Sequence, residues 1–140
     1  EDDPACHAAK GKTQRTSIMY GCGGFAYIYF IYGMYYCLNV VTEVADYPAA
    51  ILIRSVIPVQ GIDIMRANRH AKTTIKDRHL TNGPGKICQA FGLTKTENGL
   101  NLISSKLRIE PSNKKITSYT CTPRIGISIG QEKLCRFHYQ

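Results

Sequence analysis

An arginine inside an apolar run has to meet an anion or line an open cleft, because an unpaired buried guanidinium is costly. Arg54 stands in such a run, Ala49-Ala50-Ile51-Leu52-Ile53-Arg54-Ser55-Val56-Ile57. In Thr81-Asn82-Gly83-Pro84-Gly85-Lys86, a turn runs into a helix. The free backbone amides at that helix start, around Gly85, could hold a phosphate together with Lys86. The pattern lacks the spacing of a nucleotide-binding Walker loop. A third stretch, Phe25-Ala26-Tyr27-Ile28-Tyr29-Phe30-Ile31-Tyr32-Gly33-Met34-Tyr35-Tyr36-Cys37-Leu38-Asn39-Val40-Val41, is dense in tyrosine. Exposed aromatics in a basic chain are stacking platforms for unpaired bases. His7, in Ala5-Cys6-His7, is by type either a solvated loop residue or a pocket residue. The six cysteines (6, 22, 37, 88, 121 and 135) show no C-x₂₋₄-C spacing, so a zinc knuckle is poorly supported and no metal is expected.

These residues sit in a chain of 140, long enough for one domain that buries roughly two-thirds of its unfolded surface. Hydrophobic residues make up 44% and charged residues 20%, which excludes a wholly disordered chain. Eighteen Lys and Arg against ten Asp and Glu leave a net charge of +8, which calls for a polyanionic partner: nucleic acid or an anionic membrane surface. Six cysteines could make three disulfides, but most have apolar neighbours, and free thiols in an intracellular protein are favoured. The chain opens at Glu1 without an apolar leader, so it reads as processed, trimmed or a fragment, with no signal peptide.

The elements follow from local pattern. Residues 1–20 read as a basic loop over a surface. Residues 25–41 are short for a membrane helix and rich in β-branched and aromatic residues, so they read as strand, turn at Tyr32-Gly33-Met34, strand. Tyr27, Tyr29 and Ile31 share one face; Ile28, Phe30 and Tyr32 share the other. Residues 49–57 read as a buried strand ended by Pro58, and 59–70 as a short helix with Ile62, Met65 and Arg66 at helical spacing. Residues 70–79 read as a basic loop. Pro84 suits the first turn of a helix over 84–92 that turns Ile87, Cys88 and Phe91 inward. A hairpin is expected from 106–110 and 115–120. Ile125, Ile127 and Ile129 give a half-buried strand over 124–129, and the basic tail from Lys133 gives an edge strand or an extended end. Repeats and linkers are absent, so the chain reads as one domain.

Five stretches, in order, carry a family resemblance: Ala5-Cys6-His7-Ala8-Ala9 with Thr13 and Arg15; Tyr27 through Asn39; Leu52-Ile53-Arg54; Asn82-Gly83-Pro84-Gly85-Lys86-Ile87-Cys88-Gln89-Ala90; and Pro123-Arg124-Ile125-Gly126-Ile127. The chain resembles the alkyladenine (3-methyladenine) DNA glycosylases. The resemblance implies a mixed α/β single domain with a curved, mostly antiparallel sheet, flanking helices and a protruding aromatic β-hairpin, like the C-terminal domain of methionyl-tRNA formyltransferases. It implies a monofunctional enzyme without cofactor, acting as a monomer on double-stranded DNA. A damaged purine (3-methyladenine, hypoxanthine or ethenoadenine) is flipped out and its N-glycosidic bond hydrolysed. By position, Tyr32 with Met34 would wedge into the duplex; His7, Tyr27, Tyr29 and Asn39 would form the base pocket. Asn39 would disfavour guanine through its exocyclic amine. Arg54 would sit in the catalytic site, positioning a phosphate or the attacking water. Lys10, Lys12, Arg15, Gly85, Lys86 and Arg124 would contact the DNA backbone.

The resemblance has two gaps. The family's general base is a glutamate in a Glu-Thr-Glu-Ala-Tyr stretch ahead of the segment matching Asp3-Pro4-Ala5-Cys6-His7. That stretch, its stacking tyrosine and the family's opening strands have no counterpart here, and Glu1, Asp2 and Asp3 do not take the role. The 140 residues are therefore expected to bind better than they cut. The tail reads Arg136-Phe137-His138-Tyr139 where the family reads Arg-Phe-Tyr. Three alternatives remain open: a glycosylase-lyase using Lys86 as nucleophile, a catalytically inactive nucleic-acid binding module, and a membrane-surface protein anchored through 25–41. The expected location is intracellular: cytoplasm and nucleoid in a bacterium, nucleus in a eukaryote.

Overall fold

A computed structural model describes residues 3–70, 72 and 74–139. Glu1, Asp2 and Gln140, and Ala71 and Thr73 of the expected basic loop, lie outside the described residues. The centre of the fold is an antiparallel pair, β1 (Ala26–Ile31) and β2 (Tyr35–Val41), in register from Ala26 opposite Val40 to Ile31 opposite Tyr35. β-Branched and aromatic side chains suit this pleated surface, and alternation sends them to two different cores. Ala26, Ile28 and Leu38 pack with Cys88, Leu93 and Leu102. Tyr27 and Val41, on the opposite face, pack with Ala8 and Met19. The base of the pair is thus covered on both sides, while Tyr32 is 77% and Met34 62% exposed at its tip. There the Met34 N–H donates to the Ile31 carbonyl at 3.2 Å, across Tyr32 (φ 55°) and Gly33 (φ 67°). Two positive φ angles match the primed turns that follow strand twist; Gly33 adopts one freely, and Tyr32 is strained by it.

β3 (Ala50–Leu52) adds to the free side of β2, with Leu52 opposite Asn39. The expected buried strand over 49–57 is corrected: three residues pair, on an edge, and Ile51 is 58% exposed. The chain leaves the sheet because its later hydrogen bonds go elsewhere. The Arg54 Nη2 donates to the Ile125 carbonyl, and the Val56 N–H donates to the Thr81 carbonyl. α1 (Ile62–Asn68) follows, and Met65 packs with Leu80 and Ala90 in a third cluster.

α2 (Pro84–Phe91) starts at a proline and ends at Gly92, whose φ of 66° permits the reversal. Ile87, Cys88 and Ala90 are buried. Phe91, expected inward, is instead 46% exposed. It is the last helical residue, and its ring lines a cleft with Leu93, Lys106 and Leu107 rather than lying beneath the sheet.

The C-terminal third departs most from expectation. The hairpin over 106–110 and 115–120 is absent. β4 (Thr120–Thr122) pairs instead with β5 (Arg136–His138), forming a second two-stranded antiparallel sheet in place of one continuous sheet. Residues 124–129 are a loop, not a strand: Gly126 (φ 76°) and Gly130 (φ 66°) turn the chain, and Ile125 and Ile129 are about half exposed. The Arg124 N–H donates to the Gln131 carbonyl, closing the loop on itself. The N-terminal twenty residues are also more than a surface loop, because Ala8, Thr16 and Met19 are buried. All six cysteines are free thiols. Among the described residues no helix is long and apolar enough to cross a membrane.

The seat of α2 on the hairpin generates a test. A Cβ built at Gly85 would lie 3.0 Å from Cγ and 3.2 Å from Cβ of Tyr35. Those atoms are the fixed end of the side chain, so the ring cannot swing away. Overpacking should outweigh the better helix propensity of alanine, and Gly85→Ala should lose about 1–2 kcal/mol of stability in urea unfolding. An unchanged or raised midpoint would show that the helix seat is not tight.

Candidate active site

The β1–β2 register places Tyr27 opposite Asn39 and Tyr29 opposite Cys37, so these four side chains share one face. His7 comes to that face from the N-terminal turns, where the Cys6 N–H donates to the Asp3 carbonyl and the Gly11 N–H to the Ala8 carbonyl. Ala8 anchors this segment in the core. His7 Nδ1 lies 2.9 Å from the Tyr27 hydroxyl. The His7 ring meets the Tyr29 ring edge-on, centroids 4.5 Å apart at 80°. The two rings touch, so no base fits between them; together with Tyr27, 5.7 Å from Tyr29, they form one wall with a corner. Burial, and then the charge of Arg15, hold the His7 imidazole below its ordinary pKa. Burial pushes the Tyr27 and Tyr29 hydroxyls up. Near neutral pH the wall therefore presents a neutral imidazole and two protonated phenols. No carboxylate is among the groups that perturb these three residues.

Asn39 is buried beside Tyr27. Its Nδ2 donates to the Tyr27 carbonyl at 2.9 Å and to the Cys37 carbonyl at 3.4 Å. Both amide hydrogens are committed to backbone, which fixes the side chain and leaves Oδ1 as its acceptor end. Arg54 is half-buried past the end of β3, and its charge reaches Cys37.

Cys37 belongs to this face although sequence reasoning did not place it there. Its thiol is buried beneath Tyr29 and interacts with the tyrosine hydroxyl. Burial pushes the thiol up; Tyr29 and Arg54 pull it part of the way back. The signal that could have found it is the hairpin register, which sets position 37 opposite 29.

The cationic candidates separate into two groups. Lys10, Lys12 and Arg15 are exposed along the N-terminal segment. Lys12 Nζ lies 5.3 Å from the Tyr20 ring centroid, and the Arg15 guanidinium 5.3 Å from that of Tyr29. Lys86 Nζ is exposed and donates to Asn82 Oδ1 at 2.8 Å; Gly85 is packed against Tyr35. Arg124 is turned inward. Its Nη2 donates to Asp3 Oδ1 at 2.8 Å, its Nη1 to Asp3 Oδ2, and its Nε to the Gly130 carbonyl at 3.0 Å. That guanidinium holds the Asp3 carboxyl below the usual carboxylate range. Tyr32 and Met34 stand together at the hairpin tip. Among the described residues, no three His, Cys, Asp or Glu side chains are grouped to hold a metal ion.

Comparison with known proteins gives the chain's family. The family model for methylpurine-DNA glycosylase (MPG) matches residues 1–140. A protein of Ehrlichia chaffeensis (strain Arkansas) is 48% identical over 138 residues, covering 98% of this chain and 69% of its own. One of Wolbachia pipientis wMel is 50% identical over 136 residues, covering 96% and 67%. One of Bacillus cereus (strain AH820) is 44% identical over 151 residues, covering 99% and 74%. All three carry the provisional name 3-methyladenine DNA glycosylase. With the match running from the first residue to the last, the chain belongs to the methylpurine-DNA glycosylase family.

Proposed function

We propose that the chain is a single DNA glycosylase domain that acts as a monomer on duplex DNA, captures a flipped damaged purine and hydrolyses its N-glycosidic bond. The observation that carries this reading is the corner made by His7, Tyr27 and Tyr29 on the same hairpin that ends in Tyr32 and Met34. A pocket wall and a wedge built on one rigid pair of strands move as a unit. Tyr32 and Met34 enter the duplex where the base leaves and replace its stacking. The purine seats in the corner, stacked on one of the two rings and edge-on to the other, and an alkylated purine carrying positive charge gains from an aromatic face. Asn39, immobilised by its two backbone bonds, crowds the edge where guanine carries an amine. Lys10, Lys12, Lys86 and the backbone at Gly85 hold phosphates. Arg124, held by Asp3, supports the strand-facing surface through the loop it closes.

In the reaction, water oxygen bonds to the anomeric carbon, the C–N bond breaks, and the electron pair leaves with the base. A water proton must be taken up, and a positioned carboxylate contributes typically about 10²–10⁴-fold to such a step. Arg54 positions the flipped nucleotide's phosphate or the attacking water. The resemblance gives the general-base role to a glutamate of a Glu-Thr-Glu-Ala-Tyr stretch, which the 140 residues do not contain. The substrates then separate by leaving-group quality: cationic 3-methyladenine departs slowly without the base, whereas neutral hypoxanthine and ethenoadenine hardly react.

Two measurements test the reading. Single-turnover excision of one hypoxanthine from duplex DNA is run with the 140-residue chain and with the same chain preceded by the family's Glu-Thr-Glu-Ala-Tyr stretch. Activity confined to the extended chain is expected. Failure of both, with no preference for lesion duplex over undamaged duplex, would favour the inactive binding module. The second is Tyr32→Asn. Asparagine tolerates the left-handed backbone better than tyrosine and loses no buried contact, so the variant should melt no lower than the parent. Its affinity for lesion duplex should fall at least several-fold. Unchanged lesion affinity would remove Tyr32 from the wedge.

A further inference from the structure

Among the described residues, Arg15 sets its guanidinium over the aromatic corner from the N-terminal segment. Its guanidinium lies 5.3 Å from the centroid of the Tyr29 ring, too close to serve only as a remote phosphate anchor. The titratable groups around the corner are His7 and Cys6 from the N-terminal turns, Tyr27 and Tyr29 from β1, Cys37 from β2, and Arg54 beyond β3. Arg15 and Arg54 are the charged members, and both are positive.

We propose that Arg15 is a specificity-determining residue of this site, whose guanidinium on Tyr29 biases the pocket against positively charged purines and toward neutral ones. The inference rests on the pocket reading above. The bias follows for either approach of the base. A cationic purine on the face that Arg15 covers must displace it, losing one cation–π contact to make another. On the opposite face it meets a like charge through a single ring, at a separation of roughly 9 Å, where the repulsion is worth a few-fold to tenfold in affinity at a protein surface. A neutral purine meets neither penalty. The same positive charge disfavours an imidazolium at His7, so the wall stays neutral as well. The chemistry gives this bias a use. Cationic alkylpurines leave with little help, so binding selectivity is of most value for the neutral lesions that do not.

The test compares equilibrium binding of the whole chain to three duplexes, read by fluorescence anisotropy. One carries 1,N6-ethenoadenine, which is neutral; one carries 1-methyladenine, which is cationic at neutral pH and keeps a stable glycosidic bond; one is undamaged. Arg15→Gln should raise affinity for the cationic lesion relative to the neutral one by about three- to tenfold. Arg15→Lys, which keeps the charge, should stay within about twofold of the parent ratio. NMR titration of His7 should show its midpoint moving up in Arg15→Gln and not in Arg15→Lys. Equal weakening of all three duplexes by Arg15→Gln, with a salt dependence reduced by about one counterion and an unmoved His7 midpoint, would make Arg15 a phosphate contact and overturn the proposal. If the parent chain binds both lesion duplexes no better than undamaged duplex, the pocket reading itself fails, and this proposal with it. Lesion preference with an unshifted ratio defeats the proposal alone.

Discussion

Sliding β1 against β2 by one residue would exchange their two faces. Tyr27 and Tyr29 would enter the space that Ile28 and Leu38 fill, and Ile28 would face His7. The register is therefore the constraint from which the rest of the site descends. It is pinned at one end by the short turn at Tyr32-Gly33 and at the other by two apolar clusters of different shape. Small residues let other segments close on it: Ala8 lets the His7 segment approach Tyr27 and Tyr29, and Gly85 lets α2 sit against Tyr35. The polar atoms that this packing would otherwise strand are used within the sheet, as in the two hydrogen bonds of Asn39 to neighbouring carbonyls.

The parts of the fold legible in the sequence are those governed by neighbours a few residues away. A tyrosine-rich run broken by Gly33, and a Gly-Pro-Gly pattern at a helix start, state their own geometry. The alternating Ile125, Ile127 and Ile129 state it wrongly, because the glycines at 126 and 130 adopt φ values that no strand allows. The run 49–57 misleads for a different reason. Its apolar content is real, but a strand needs partners along its length, and Arg54 and Val56 find theirs at Ile125 and Thr81. Those partners are 71 and 25 residues away in the chain, beyond the reach of periodicity.

The site shows the same division. His7, Tyr27, Tyr29 and Asn39 could be named from motif and spacing, and three of them lie on strands whose alternation puts them on one face. Cys37 could not be named without the register, nor the stacking of Arg15 without the fold of the first twenty residues. Arg124 looks in sequence like any other basic loop residue. Only the folded chain shows its guanidinium turned inward, used by a carboxylate and a carbonyl.

The ion pair of Asp3 with Arg124 joins positions 121 residues apart. His7 lies four residues from one end of that clasp. Synthesis from the N- to the C-terminus delivers Asp3 121 residues before Arg124, so the clasp closes only after the His7 segment can make its own contacts with Tyr27 and the core. Closing a loop of that length carries a chain-entropy cost that only the final compact state repays. The clasp is thus a late brace on a wall already formed, and a chain stopped short of Arg124 would keep the contacts of His7 with the hairpin while losing the tie at Asp3.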